Sequence, residues 1–166
     1  MNDKRIHIYL EDHLAMMVGE LELITRAEES NRNTELGQFL KQLKLDVAEQ
    51  KGKLEGVLIN AGYKEGIGGQ LKQGAAWLTE KLGRLKLNDA LLEYSALSRV
   101  VELEALMASI QARVTMWITL DTLSGADVRY RQHDFAQLRE QTEKQLSDLH
   151  IHHLTAIAAA FAEDEK

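Results

Sequence analysis

The chain has no cysteine and no proline, and its aromatic residues amount to only 5%. Without thiols, disulfides, thiolate zinc sites, iron–sulfur clusters and cysteine catalysis are all excluded. A chain of 166 residues carries about eight prolines at the usual frequency of roughly 5%. Their absence, beside abundant Leu, Ala, Glu, Lys and Gln, favours long uninterrupted helices. Basic runs are too short to follow a phosphate backbone and the formal net charge is -6, so no nucleic acid partner is expected. The most apolar stretch, residues 97–120, contains Arg99, Glu102, Glu104 and Arg113, which makes it a poor membrane span. The opening "MNDKRIHIYLEDHL" puts acids where a signal peptide has its apolar core. The expectation is a cytoplasmic protein with no membrane partner. No glycine-rich phosphate loop follows a strand and there is no nucleophile elbow, so hydrolase and nucleotide-binding readings have no support.

What is there is a globular balance, 45% hydrophobic and 28% charged, in a length that suits one domain, 1–166. Four long helical segments are predicted, over about 4–30, 34–61, 89–120 and 127–161. In the first, Leu10, Leu14, Met17, Leu21 and Ile24 recur at helical spacing. The second begins at Asn33 or Thr34 as cap, with Glu35 in its first turn, and Gly62 offers it a left-handed stop. Asn88 and Asp89 are candidate caps for the third, and "DTLSGAD" separates it from the fourth. The connection 62–88 is punctuated by glycine and contains a short amphipathic helix marked by Leu71, Ala75, Leu78, Leu82 and Leu85. Short links join the first two helices and the last two, so each pair forms an antiparallel hairpin. The long middle connection allows a lengthwise crossover, and this predicts an all-α, ferritin-like four-helix bundle.

The chemistry depends on which polar residues fall inside each apolar stripe at about 100° per residue. On the third helix the stripe runs through Val100, Leu103, Met107, Ile110 and Val114. It places Glu104 and Gln111 inside and turns Glu102 outward. Glu20 and His13 flank the stripe of the first helix, Gln50 lies at the centre of the second with Asp46 at its edge, and the fourth carries Glu143. Folding the hairpins brings Glu104 level with Glu20, Glu49, Gln50 and Glu143 at mid-bundle. Such a cluster could bind metal, or could form a proton-sharing polar network. A carboxylate buried there needs a cation, a proton or a hydrogen bond.

With these residues placed, the chain resembles the ferritin-like superfamily, and in layout it is most similar to the YciE/YciF-type bacterial stress-associated proteins. The likeness rests on helix order, the short helix in the crossover, "GELEL" on the first helix, "LDVAEQ" on the second and "RVVELEALMAS" on the third. It implies a small bundle that dimerises and carries a possible iron or manganese pair. Its ligand pattern would nominate Glu20 on the first helix, with Asp46 and Glu49 standing for Glu-x-x-His on the second. Glu102 or Glu104 would serve on the third and Glu143 on the fourth. Both histidine positions of the pattern are missing from this sequence.

The resulting expectation is a stress-associated or structural and interaction protein with an incomplete di-metal centre. The alternative is a carboxylate-rich di-iron or di-manganese oxidase or peroxide-consuming protein. "HIHH", with His150 and His153 one turn apart and Asp148 nearby, reads as a surface cluster. The basic crossover, with Lys64, Lys72, Lys81, Arg84 and Lys86, is expected to cover the bundle with its apolar face. Trp77 falls off that face, and an exposed tryptophan beside an apolar helix suggests a homodimer.

Overall fold

The computed structural model describes residues 1–63 and 95–162. Among them are four long helices and no strand: α1 (Asp3–Ser30), α2 (Glu35–Asn60), α3 (Ala96–Ala126) and α4 (Phe135–Ala160). A single 3-10 turn, Val128–Tyr130, stands between α3 and α4. No helix among the described residues is long and apolar enough to cross a membrane. Trp77, Asn88, Asp89 and the short helix expected before them lie outside the described residues.

Local chemistry sets the helix ends. Thr34 caps α2 by accepting the Gly37 N–H at 3.1 Å. Gly37 itself is required by contact, because a Cβ there would overlap the Asn31 carbonyl of the α1–α2 turn. At the other end of α2, Gly62 has φ +90. The Gly62 and Tyr63 N–H groups bond back to the Ile59 and Leu58 carbonyls, a Schellman closure that satisfies two otherwise orphaned acceptors. α3 starts from Ser95, whose hydroxyl accepts the Ser98 N–H at 3.0 Å. It then runs past Leu120 to Ala126, since a lone Gly125 weakens a helix without breaking it. Asp127 caps the 3-10 turn by accepting the Arg129 N–H at 2.9 Å, and Asp134 is the cap of α4. The fourth helix therefore begins at Phe135 instead of near residue 127.

Cross-helix bonds fix the directions. Tyr9 meets Thr119, Glu20 meets Arg113 and Arg26 meets Glu102, so α1 and α3 are antiparallel. Lys44 meets Glu28, and Tyr63 bonds the Asp3 carbonyl, so α1 and α2 are antiparallel as well. Trp117 with Thr142 and Arg113 with Gln145 give the same relation for α3 and α4. α2 and α3 consequently run the same way, and α3 begins at the end of the bundle opposite to where α2 finishes. α4 packs chiefly on α3, α2 chiefly on α1, and α1 also on α3, while α2 and α4 meet only loosely. Leu10, Leu14, Ile24, Leu40, Leu54, Leu106, Ile110, Leu120 and Leu149 are among the side chains fully enclosed between them.

Candidate functional site: a buried charge network at mid-bundle

α3 is apolar almost all the way round, and its inward face is centred on Leu103, Leu106, Ile110, Arg113, Trp117 and Leu120. That line is rotated by roughly 60° from the stripe expected from hydrophobicity, taking 100° per residue. The rotation reverses two expectations. Glu102 turns inward at 7% exposure and takes the Arg26 Nε–H at 3.1 Å, whereas the Glu104 side chain is 57% exposed. Gln111 is exposed too. The cause is Arg113: counted as a polar residue it drags the apparent stripe aside, although it occupies the centre of the buried face.

Arg113 is 1% exposed and Glu20 is 0% exposed. The guanidinium grips the carboxylate with two parallel bonds, Nε to Oε2 at 3.2 Å and Nη2 to Oε1 at 2.9 Å. Ser109 donates to the same Oε2 at 3.1 Å. Nη1 donates to Gln145 Oε1 at 3.0 Å and also to Gln50 Oε1. Gln145 passes the chain of bonds on to Asp46 at 3.2 Å, and Gln42 donates to Asp46 at 2.8 Å. Trp117 Nε1 donates to the Thr142 hydroxyl at 3.1 Å, and that hydroxyl donates to the Leu138 carbonyl at 2.7 Å. One network thus ties all four helices together through a single arginine. Removing both ions from water costs several kcal/mol each, and only geometry of this quality offsets that cost.

The structure does not gather the residues nominated for an iron or manganese pair. Glu20 is inside, but its counter-ion is Arg113. Asp46 is half-buried and serves the two glutamines. Glu49 lies on the surface 2.8 Å from Lys53, which holds its carboxyl below the usual range. Glu143 lies on the surface 3.6 Å from Arg139, and exposed Glu104 stands 3.4 Å from His153 Nε2. Among the described residues no group of three or more His, Asp or Glu side chains is placed to hold a metal ion. Of the expected mid-bundle gathering of Glu20, Glu49, Gln50, Glu104 and Glu143, the structure keeps Glu20 and Gln50 and joins them to Arg113, Thr142 and Gln145. Gln50 lies where the α2 stripe puts it, 3% exposed. Gln145 and Thr142 carried a signal that went unused: with Leu138 and Leu149 they keep the spacing of a buried seam.

Two other sites combine ring and charge contacts. His13 lies half-buried with its ring edge against Tyr9, and burial holds its imidazole below the ordinary histidine value. At the bundle end Arg129 clamps Asp3 through two bonds of 3.1 and 2.9 Å and also holds Asp127 at 2.7 Å. Its guanidinium keeps both carboxyls below their usual range.

The fold and this site define an all-helical bundle organised on a buried arginine–glutamate pair. Compared with known proteins, the chain matches no family model, no curated protein and no solved structure.

Proposed function

We propose that the chain is a ferritin-like bundle with a structural or interaction role, of the stress-associated kind, in which its own arginine has taken the di-metal position. The observation that carries this reading is the bidentate Arg113–Glu20 pair with Gln50 and Gln145 around it. Di-metal bundles use inward carboxylates to neutralise bound cations. Here the buried carboxylate already has a covalently attached cation. The parallel course of α2 and α3 supports a lengthwise connection of the ferritin type. The test is metal quantification by mass spectrometry on untagged protein produced with added iron and manganese. The expected result is no stoichiometric metal. About two equivalents per chain, lost on Glu20→Ala, would establish the di-iron or di-manganese oxidase reading instead.

The proposed unit is a homodimer. Its support is the apolar outer surface at the end of α4, where Ile151, Leu154 and the capping Phe161 are each more than half exposed, with Leu97 exposed at the same end of the bundle. Sedimentation should give a dimer for the parent protein and a monomer for Leu154→Lys. A parent chain that stays monomeric at high concentration refutes it.

A further inference from the structure

The loose seam between α2 and α4 opens into a cleft of about 390 Å³. Phe39 and Leu43 form its apolar wall, and Gln50 and Gln145 form its floor against the buried network. Asp46, Glu49 and Asp148 stand around it; Asp148 is paired with Lys144 at 2.7 Å and Glu49 with Lys53 at 2.8 Å, whereas Asp46 has no cation partner among the described residues.

The floor has a fixed polarity. A guanidinium offers N–H donors and no acceptor, so both carboxamides must turn their oxygens towards Arg113. Both amide NH2 groups then face the other way. That of Gln145 is taken by Asp46 at 3.2 Å. That of Gln50 donates to none of the described residues, although Gln50 is only 3% exposed. Nor is it sealed away from open space. A nearly buried amide donor without a partner therefore forms part of the cleft floor, beneath a carboxylate-rich mouth.

We propose that this cleft binds a small organic ammonium ion that also carries an oxygen acceptor. The acceptor takes the Gln50 Nε2–H, and the ammonium group lies at Asp46, the mouth's carboxylate without a cation partner among the described residues. The carbon skeleton spans from Asp46 to Gln50, with Leu43 offering apolar contact beside it. A bare metal ion is disfavoured because Gln50 presents a hydrogen and no lone pair. An anion is disfavoured by Asp46, whose charge no described cation balances. A neutral polyol leaves the acidic mouth unused. This inference rests on the Arg113 network of the proposed function, which sets the polarity of Gln50 and Gln145, but metal quantification and amine titration are read out separately, so either can fail alone.

The test is NMR titration of the full-length chain with three matched pairs: glucosamine and glucose, ethanolamine and ethylene glycol, 1,4-diaminobutane and 1,4-butanediol. At least one acceptor-bearing ammonium compound should give saturable amide shifts confined to Asp46, Gln50 and Gln145, with its neutral counterpart giving none. Asp46→Asn should weaken that binding about tenfold, and Lys144→Ala should tighten it about two- to threefold, as the mouth loses or gains net negative charge. Circular dichroism of both variants controls for folding. The proposal is overturned if no ammonium compound saturates below roughly 10 mM, if neutral counterparts bind equally, or if folded Asp46→Asn binds unchanged. It is also overturned if 1,4-diaminobutane binds as well as the compounds that carry oxygen.

Discussion

Arg113 and Arg129 both hold a carboxylate through two N–H groups, one at the centre of the bundle and the other at its end. The bonds are alike, with shortest distances of 2.9 Å to Glu20 and to Asp3. What differs is the surrounding medium. The side chains of Arg113 and Glu20 are each 1% exposed, while those of Arg129 and Asp3 are 35% and 52% exposed. Water competes for the outer pair and salt screens it, so it contributes little to folding. The inner pair contributes through the penalty for breaking it. Either partner left alone is a bare charge in an apolar interior.

The contrast is sharpest when each pair is broken. Arg113→Met should cost about 3–5 kcal/mol in denaturant unfolding, because Glu20 then stays buried without its cation. Changing Glu20 to Met as well should recover part of the loss. The remainder belongs to Gln50 and Gln145, whose oxygens are left without a donor. Replacing all four by apolar residues of similar size should therefore be neutral or stabilising. If Arg113→Met proves harmless, the network is not buried as described.

His13 tests an intermediate depth. Burial lowers its folded-state pKa, so below about pH 6.5 the unfolded chain takes up a proton more readily than the folded one. Stability is full above the unfolded value and falls as pH drops through that value towards the folded one. His13→Gln should flatten this slope in unfolding measured from pH 7.5 to 5.5. An unchanged slope would show that His13 does not supply it.

The smallest effect belongs to Arg129→Ala. Its unfolding midpoint should stay within error of the parent at neutral pH and moderate salt. Asp3 and Asp127 have lowered folded pKa values, so whatever the clamp contributes is present above the ordinary carboxylate value and lost as pH falls through the lowered ones. A large loss at neutral pH would erase the distinction between the two arginines.

The presence of four helices, a cap at Asn33 or Thr34, the Gly62 stop and the inward Gln50 were legible because each has a local cause: a spacing, a polar side chain, a glycine, a clean stripe. The orientation of α3 was not. A helix apolar on every side offers no contrast from which to find its inner face, and Glu102 and Glu104 exchanged roles as a result. Arg113 was visible in the sequence as an obstacle to membrane insertion. Its partner could not be read, since pairing it with Glu20 requires α1 and α3 to be laid side by side in register.

Arg113 reaches α1, α2 and α4 from a fixed place on α3. Leucine-lined rods can slip past one another by a turn and still find apolar neighbours. A slip of that size, about 5.4 Å, would carry Glu20, Gln50 or Gln145 out of the guanidinium's grasp. The alignment of the four rods is thus keyed by one side chain, and an alternative stacking that satisfied every leucine would still leave a stranded cation.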